Sequence, residues 1–288
     1  MIISTLHLIT GEIKLLIIHK PGGLTDHKIG ITRQFVGGKG VFGNFAEPST
    51  AMERKKKLVV LTGAGMSAES GLRTFREMGG LWEEYDVSEV ASPEGWERNR
   101  NLVLRFYNER RKQLLEASPN DGHTGLAELE KFLDVHIITQ NIDDLHERAG
   151  STSVLHLHGE LRKARSTKHP DLIYAIDGWE LKEGDLCEQG SQLRPHVVWF
   201  GEPVPAMETA VQITSRADYF AVIGTSLNVY PAAGLIHYVK RCVQIFLIDP
   251  NEVQVPFGTD VVFIREKASA GVEILRNKLL AELNKSSV

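Results

Sequence analysis

Three short polar constellations, far apart in the chain, carry residues suited to a single ligand. They are Gly63-Ala64-Gly65-Met66-Ser67, Gln140-Asn141-Ile142-Asp143 and His158-Gly159-Glu160. Each follows an apolar run: Leu58-Val59-Val60-Leu61, then Val135-His136-Ile137-Ile138-Thr139, then Val154-Leu155-His156-Leu157. Such runs read as buried strands of a parallel sheet, and open α/β sheets hold their ligands beyond the carboxyl ends of the strands. Glycines at a strand end let backbone N–H groups approach a phosphate, and Ser67 is placed to cap a helix whose N-terminus favours an anion. His158 brings a side chain whose ordinary pKa lies near working pH, as a general base requires.

The stretch Gly63-x-Gly65-x-x-Ala68 matches a dinucleotide fingerprint. Taken alone it describes a tight strand-to-helix turn of small residues equally well. An enzyme of hydride transfer would also carry a second strand ending in Asp or Glu about 20 residues further on. Here that distance falls on Leu81-Trp82-Glu83-Glu84-Tyr85, preceded by Arg76-Glu77-Met78-Gly79-Gly80, which reads as loop. A dinucleotide is indicated; the dehydrogenase layout is not.

The residues from Gly63 through Ser67-Ala68-Glu69-Ser70-Gly71-Leu72-Arg73-Thr74-Phe75-Arg76 resemble the signature loop of the sirtuins, NAD-dependent protein lysine deacylases. Thr139 to His146, His156-Leu157-His158-Gly159-Glu160, Val198-Trp199-Phe200-Gly201-Glu202 and Gly224-Thr225-Ser226 recur in the family's order, from about Lys57 to the C-terminus. The Arg73-Thr74 variant is similar to the class III branch, the bacterial and mitochondrial desuccinylase-like members. The resemblance implies an α/β fold: a large domain with a Rossmann-like parallel sheet, and a smaller domain formed by insertions at roughly 73–122 and 161–196. It further implies an acyltransferase-class enzyme with NAD as cofactor. Acetyl, succinyl or malonyl groups would leave protein lysines, giving nicotinamide, O-acyl-ADP-ribose and free lysine.

By the same resemblance, His158 is the general base acting on a ribose hydroxyl. His156, two residues earlier on the same strand face, is a histidine of the same type, and either, taken alone, is ordinarily satisfied by backbone. Gly159, which matches the family's His-Gly pair, favours His158. The cofactor-binding residues implied are Gly63, Ala64, Gly65, Ala68 and Glu69, with Thr74, Phe75, Arg76 and Trp82 in a loop over NAD that excludes water. Gln140 is expected at the ribose. Asn141, Ile142 and Asp143 are expected at the nicotinamide carboxamide, a group that needs both a donor and an acceptor. Asp143 is equally placed to cap the helix starting at Leu145. Gly224, Thr225 and Ser226 face ribose or phosphate. Asp249, Pro250 and Asn251 stand where the family often has Asn and Glu near the adenosine ribose, and Ala268 completes the set. Val198, Trp199, Phe200, Gly201 and Glu202 resemble the walls of an acyl-lysine tunnel, where an extended peptide can add as a strand. A buried strand with aromatic core residues describes the same segment.

Tyr107 and Arg110 lie three apart on a helix and so share one face. They match the Tyr-x-x-Arg pair by which class III members take acidic acyl chains, and Ala91 matches the small residue that leaves room for them. Arginine presents a planar fork to a carboxylate. With Arg105, Arg111 and Lys112 nearby, a solvated basic face is the competing description.

One departure from the family concerns metal. Relatives usually hold zinc with two pairs of cysteines, whereas Ser166 stands where the first is expected and Cys187 has no nearby partner. His169 and Cys187 would supply two ligands, but structural zinc takes four. No metal is therefore expected, with Leu172, Ile173, Tyr174, Ile176, Trp179 and Leu181 supplying an apolar cluster instead.

Apolar residues make up 42% of the 288 and charged residues 24%, ordinary values for a globular chain. A net charge of −4 argues against a dedicated nucleic-acid binder. Cys187 and Cys242 form no disulfide framework and suit a reducing cytoplasm, and no apolar run approaches a membrane span. The partners expected are acylated-lysine proteins, with no nucleic acid and no membrane, and the chain is expected to act as a cytoplasmic monomer. Residues 1–52 show little periodicity and read as a poorly ordered extension or as sequence not native to a protein beginning at Met52, with the catalytic domain at 53–288. Within that domain helices are expected over Asn101 to Ala117, His123 to Phe132 and Ala268 to Leu283. Late strands are expected over Ala217 to Ile223, Val243 to Ile248 and Asp260 to Ile264. Two other functions use the same motifs: a mono-ADP-ribosyltransferase, and a silent module that binds NAD or ADP-ribose. Mass spectrometry of an acylated peptide incubated with NAD separates the three.

Overall fold

Leu58, Val59, Val60 and Leu61 have no solvent exposure, as a central strand covered on both faces requires. In the computed structural model, which describes residues 54–73, 85–255 and 260–286, they belong to β1 (Lys57–Thr62). The chain continues through β2 (Asp134–Thr139), β3 (Val154–His156), β4 (Gly159–Ser166), β5 (Ile173–Ala175), β6 (Leu193–Val197), β7 (Tyr219–Ile223), β8 (Gln244–Ile248) and β9 (Val261–Ile264). Six of these form a parallel sheet in the order β3-β2-β1-β7-β8-β9. Leu58 pairs with Val135 on one side and with Tyr219 on the other. The direction of winding therefore reverses at β1, and the carboxyl ends of β1, β2 and β7 border one crevice, the place where such Rossmann-like sheets bind ligands.

Alternation along β1 divides its side chains between two cores. Leu58 and Val60 pack with Leu126, Leu129, Val272 and Leu275, from the helices Asp121–Leu129 and Ala268–Ser286. Val59 and Leu61 pack with Phe220, Val222, Ala210 and Leu235, under the helix Met207–Thr214 and the 3-10 turn Ala232–Tyr238. A third core joins the short helices Val87–Val90 and Pro93–Arg98 and the long helix Arg100–Glu116 to a small antiparallel sheet, β5-β4-β6. Among the described residues no helix is long and apolar enough to cross a membrane.

Three local expectations differ from what is found. Ser67 is not a helix cap: the helix Ala64–Ala68 begins after Gly63, which places Ser67 in its last turn, buried. Val198 to Glu202 do not extend a strand, since β6 stops at Val197 and the five residues form the turn after it. Arg111 does not belong to a solvated basic face. It is fully buried, with Nε donating to Leu161 O at 2.7 Å and Nη1 to Asn108 Oδ1 and Trp179 O at 2.7 and 2.6 Å. Burial pushes its pKa down to about 10, so it keeps its charge at neutral pH.

Ser166 and Cys187, the residues behind the expectation that no zinc is bound, contact each other. Cys187 Sγ donates to Ser166 Oγ and accepts from Ser191 N, both at 3.4 Å, inside the small domain's hairpins. Among the described residues no group of three or more His, Cys, Asp or Glu is gathered as a metal would require. Packing and polar staples occupy the place instead. Ile176, Leu181 and Cys187 are buried in the third core, with Leu172 and Tyr174 against it, while Ile173 is exposed. Arg111 and Asn108 tie the long helix to the segment around Trp179 and Leu181, and Lys112 lies 3.6 Å over the Trp179 ring.

Candidate active site

One cleft of about 500 Å³ collects the polar clusters. Its walls include Gly63, Ala64 and Gly65 after β1, Gln140, Asn141 and Ile142 after β2, and His158 after β3. Gly224, Thr225 and Ser226 after β7 and Asp249 and Asn251 after β8 complete that end. The other end is lined by Ala91, Phe106, Tyr107, Arg110, and Val198 to Glu202. Residues of both the parallel-sheet loops and the third core thus face one space.

The loops after β1 and β7 are interlocked. Gly63 N donates to Ile223 O at 3.0 Å and Gly65 N to Gly224 O at 2.9 Å. A Cβ on Gly63 would sit 2.6 Å from Thr225 Cβ and 2.7 Å from Gly224 O, so only glycine permits the approach. The sequence signal for glycine was therefore partly a packing signal between neighbouring strands.

Ser67, Asn141 and Asp143 form a buried polar cluster of which only Asn141 lines the cleft; Asp143, expected at the ligand, does not. Ser67 Oγ donates to Asp143 Oδ2 at 3.0 Å, and Asn141 Nδ2 donates to Gly63 O at 3.0 Å and to Ser67 Oγ at 3.1 Å. Asp143 Oδ1 also accepts from Leu145 N at 3.2 Å, so its side chain supports the helix Leu145–Arg148 as well. Burial pushes the Asp143 pKa up, opposed by the bonds from Ser67 and Leu145. Asn141 is held from below: its N–H donates to Thr139 Oγ1 at 3.0 Å, and Thr62 Oγ1 donates to Thr139 Oγ1 at 2.8 Å. The donor that reaches Thr62 Oγ1 is then His146 Nε2 at 3.1 Å. Gln140 Nε2 reaches across to Thr225 Oγ1 at 3.1 Å.

The two histidines of the third cluster part company. His156 Nδ1 contacts Asn141 O at 3.0 Å and its Nε2 contacts Glu147 Oε1 at 2.7 Å. Burial lowers its pKa, but the Glu147 carboxylate outweighs this and the net shift is upward. His156 is therefore engaged through both ring nitrogens and is not a wall of the cleft. His158 Nδ1 is bonded to Gln140 O at 3.0 Å, which directs Nε2 to the cleft. Burial lowers its pKa, so the ring is neutral at neutral pH and Nε2 can accept a proton. Gly159 holds the next turn, with φ +81° and a Cβ position only 2.1 Å from His196 O.

At the far end, Tyr107 OH accepts a hydrogen bond from Trp199 Nε1 at 3.0 Å, and Phe200 N donates to Ala91 O at 3.0 Å. Glu202 does not project into the cleft as a free carboxylate: it takes Arg194 at 2.6 and 3.0 Å, Arg165 at 3.2 Å and Trp199 N at 2.8 Å. These bonds pin the Trp199–Glu202 turn.

Some expected residues lie elsewhere. Ala68 and Pro250 are exposed and do not line the cleft. Glu69 Oε2 instead accepts from Ser269 N at 2.9 Å, at the start of the terminal helix, and Ala268 is buried in the core beneath the sheet. Thr74, Phe75, Arg76 and Trp82 lie outside the described residues. Asn228, Val229, Tyr230 and Pro231 line the cleft and were not anticipated. Their only sequence signal is that they continue the loop opened by Gly224-Thr225-Ser226.

The Sir2 family model matches residues 63–231. A protein of Bacteroides thetaiotaomicron named NAD-dependent protein deacylase is 56% identical over 230 residues, covering 78% of this chain and 98% of its own length. A solved Sir2 homologue in complex with ADP-ribose superposes with a TM-score of 0.74 at 40% identity, covering 80% of this chain and 94% of that one. A Sir2 homologue in complex with NAD gives 0.72 at 41% identity, with 80% and 91% covered. With its cleft at the sheet's switch point and the matched segment supplying most of that cleft's walls, this chain belongs to the Sir2 family.

Proposed function

We propose that this chain is an NAD-dependent protein lysine deacylase that accepts acidic acyl groups, succinyl and malonyl, at least as readily as acetyl. The observation that carries this reading is the continuity of one cleft from His158 and Asn141 to Tyr107, Arg110 and Ala91. The curated relative's name supports the deacylase part.

The residues present fit NAD. Asn141 spends both Nδ2 hydrogens on Gly63 O and Ser67 Oγ and so leaves its Oδ1 to accept from a carboxamide N–H, while the buried Asp143 carboxyl anchors Ser67 beside it. Gly63 to Gly65 and Gly224 to Ser226 offer backbone and hydroxyl groups at strand ends, where phosphate and ribose are commonly held. When bound, NAD supplies an electrophilic ribose carbon and nicotinamide as leaving group. His158 Nε2 is the site that takes a proton from a hydroxyl in the cleft, and Gln140 O keeps its ring oriented through Nδ1. The acyl group is read as passing to the ADP-ribose moiety, which makes the activity an acyl transfer.

At the acyl end, Ala91 is small and buried, Tyr107 presents a hydroxyl and Arg110 a guanidinium. A charge-assisted hydrogen bond contributes about 1.5–3 kcal/mol, on the order of 10- to 150-fold in discrimination. Mass spectrometry of acetyl-, succinyl- and malonyl-lysine peptides incubated with NAD tests the proposal. Free lysine with O-acyl-ADP-ribose is expected from all three. A peptide that gains ADP-ribose would instead indicate a mono-ADP-ribosyltransferase, and an unchanged peptide a silent module.

A further inference from the structure

Tyr107 is 3% exposed and yet lines the cleft. Its single hydrogen bond among the described residues comes from Trp199 Nε1 at 3.0 Å. An indole nitrogen is a donor only, so the direction is settled: the phenolic oxygen accepts and its hydrogen is left to donate. A buried tyrosine hydroxyl ordinarily finds a partner for that hydrogen. No acceptor for it is found among the described residues, and the open volume beside it is the acyl end of the cleft. Burial holds the phenol pKa far above neutral pH, so the hydrogen is present throughout the working range.

Trp199 is itself immobilised. Its ring is contacted by Arg194, whose guanidinium carbon lies 3.2 Å from the ring centroid, and by Trp96, tilted at 5.8 Å. Its backbone N–H is held by Glu202, which Arg194 and Arg165 fix in turn. The indole N–H therefore points at Tyr107 as part of a rigid assembly.

We infer that Trp199 is a specificity-determining positioning residue: by filling the acceptor side of the Tyr107 hydroxyl it turns the hydrogen into the cleft, so the pocket selects acyl chains that end in a hydrogen-bond acceptor, charged or neutral. Arg110 then adds a preference for the charged ones. The inference rests on the proposed reading that Tyr107 and Arg110 meet the end of the acyl chain.

The test compares kcat/KM for lysine peptides bearing acetyl, succinyl, or the carboxamide-terminated analogue of succinyl, in the wild type, Trp199→Phe and Arg110→Met. Phenylalanine keeps an aromatic ring against Arg194 and Trp96 and removes the donor. Trp199→Phe is expected to lower both the succinyl:acetyl and the carboxamide:acetyl ratios by about 3- to 10-fold, the worth of one preorganised hydrogen bond. Arg110→Met is expected to lower the succinyl ratio alone. If Trp199→Phe leaves both ratios unchanged, or lowers only the succinyl ratio, the inference is overturned. Should Trp199→Phe fail to fold, Tyr107→Phe carries the test: both ratios must fall, and unchanged ratios overturn it equally. A wild type that prefers the carboxamide chain over acetyl but rejects succinyl would refute the acidic-acyl reading and leave the role of Trp199 standing. A wild type that prefers neither chain would refute both.

Discussion

His123 makes the stability of this fold sensitive to mild acid, and the size of the effect follows from its surroundings. The ring is fully buried and stands edge-on to His146, itself 1% exposed, with centroids 4.8 Å apart. His123 Nδ1 accepts from Asn120 N at 3.3 Å, closing a capping box in which Asn120 Oδ1 accepts from Gly122 N and His123 N. Burial pushes the His123 pKa down from 6.5 to about 4, and His146 is pushed well down for the same reason, with His123 and His156 adding to the effect. Below pH 6.5 the unfolded chain binds a proton that the folded chain refuses until about pH 4. Unfolding is thus favoured increasingly as pH falls through that window. For His123 alone the loss between pH 7 and pH 5 is on the order of 2 kcal/mol, from the two pKa values by linkage. His156 works in the opposite sense: its raised pKa gives stability that is present below 6.5 and lost as pH rises through the folded value. The perturbation that isolates His123 is His123→Gln, because glutamine at the same position preserves a capping box and does not titrate. Urea unfolding of both proteins at pH 7 and pH 5 supplies the comparison. The wild type is expected to lose on the order of 2 kcal/mol more than the variant over that interval. Parallel stability–pH curves would refute the reasoning, since they would mean that His123 takes up its proton as readily folded as unfolded.

Other outcomes follow from the site. His158→Ala is expected to lower NAD-dependent deacylation by about 10²- to 10⁴-fold with NAD binding by calorimetry largely retained, and near-normal turnover would remove His158 as the base. Arg110→Met is expected to depress desuccinylation and demalonylation by about 10-fold or more while largely sparing deacetylation; an equal fall for all acyl groups would make the residue a general structural one. Elemental analysis of the purified protein is expected to find no stoichiometric zinc, and a chelator should leave melting unchanged. One zinc per chain would contradict the assignment of Ser166, Cys187 and Ser191 to an internal hydrogen-bonded cluster.

What the sequence determined by itself is the frame. Leu58 to Leu61, Val135 to Thr139 and Tyr219 to Ile223 are short runs of mainly aliphatic and aromatic residues with several Val and Ile, each ending at a polar or glycine-bearing cluster, as buried parallel strands do. Because parallel strands all point the same way, the polar residues that follow each run had to gather at one edge of the sheet, and Gly63, Gln140, His158 and Gly224 do line one cleft. The helical spacing of Tyr107 and Arg110 likewise put both on one face before any partner was known. What only tertiary structure decided is which group meets which. β1 lies between β2 and β7, and β7 begins more than 150 residues further on, a neighbour that periodicity cannot name. That adjacency is why Gly63 must be glycine. Ser67 turned from a cap into a partner of Asp143 because the β1 and β2 loops converge, 76 residues apart. Arg111 read as surface charge, yet it is buried among carbonyls because a small sheet covers its face of the helix. Trp199 reaches Tyr107 across 92 residues, and Glu69 and Ala268 serve the terminal helix and core instead of the cleft. Local patterning reports which face of an element is apolar and where it ends; the element that covers that face is chosen by the global packing, and the chemistry of this site depends on that choice.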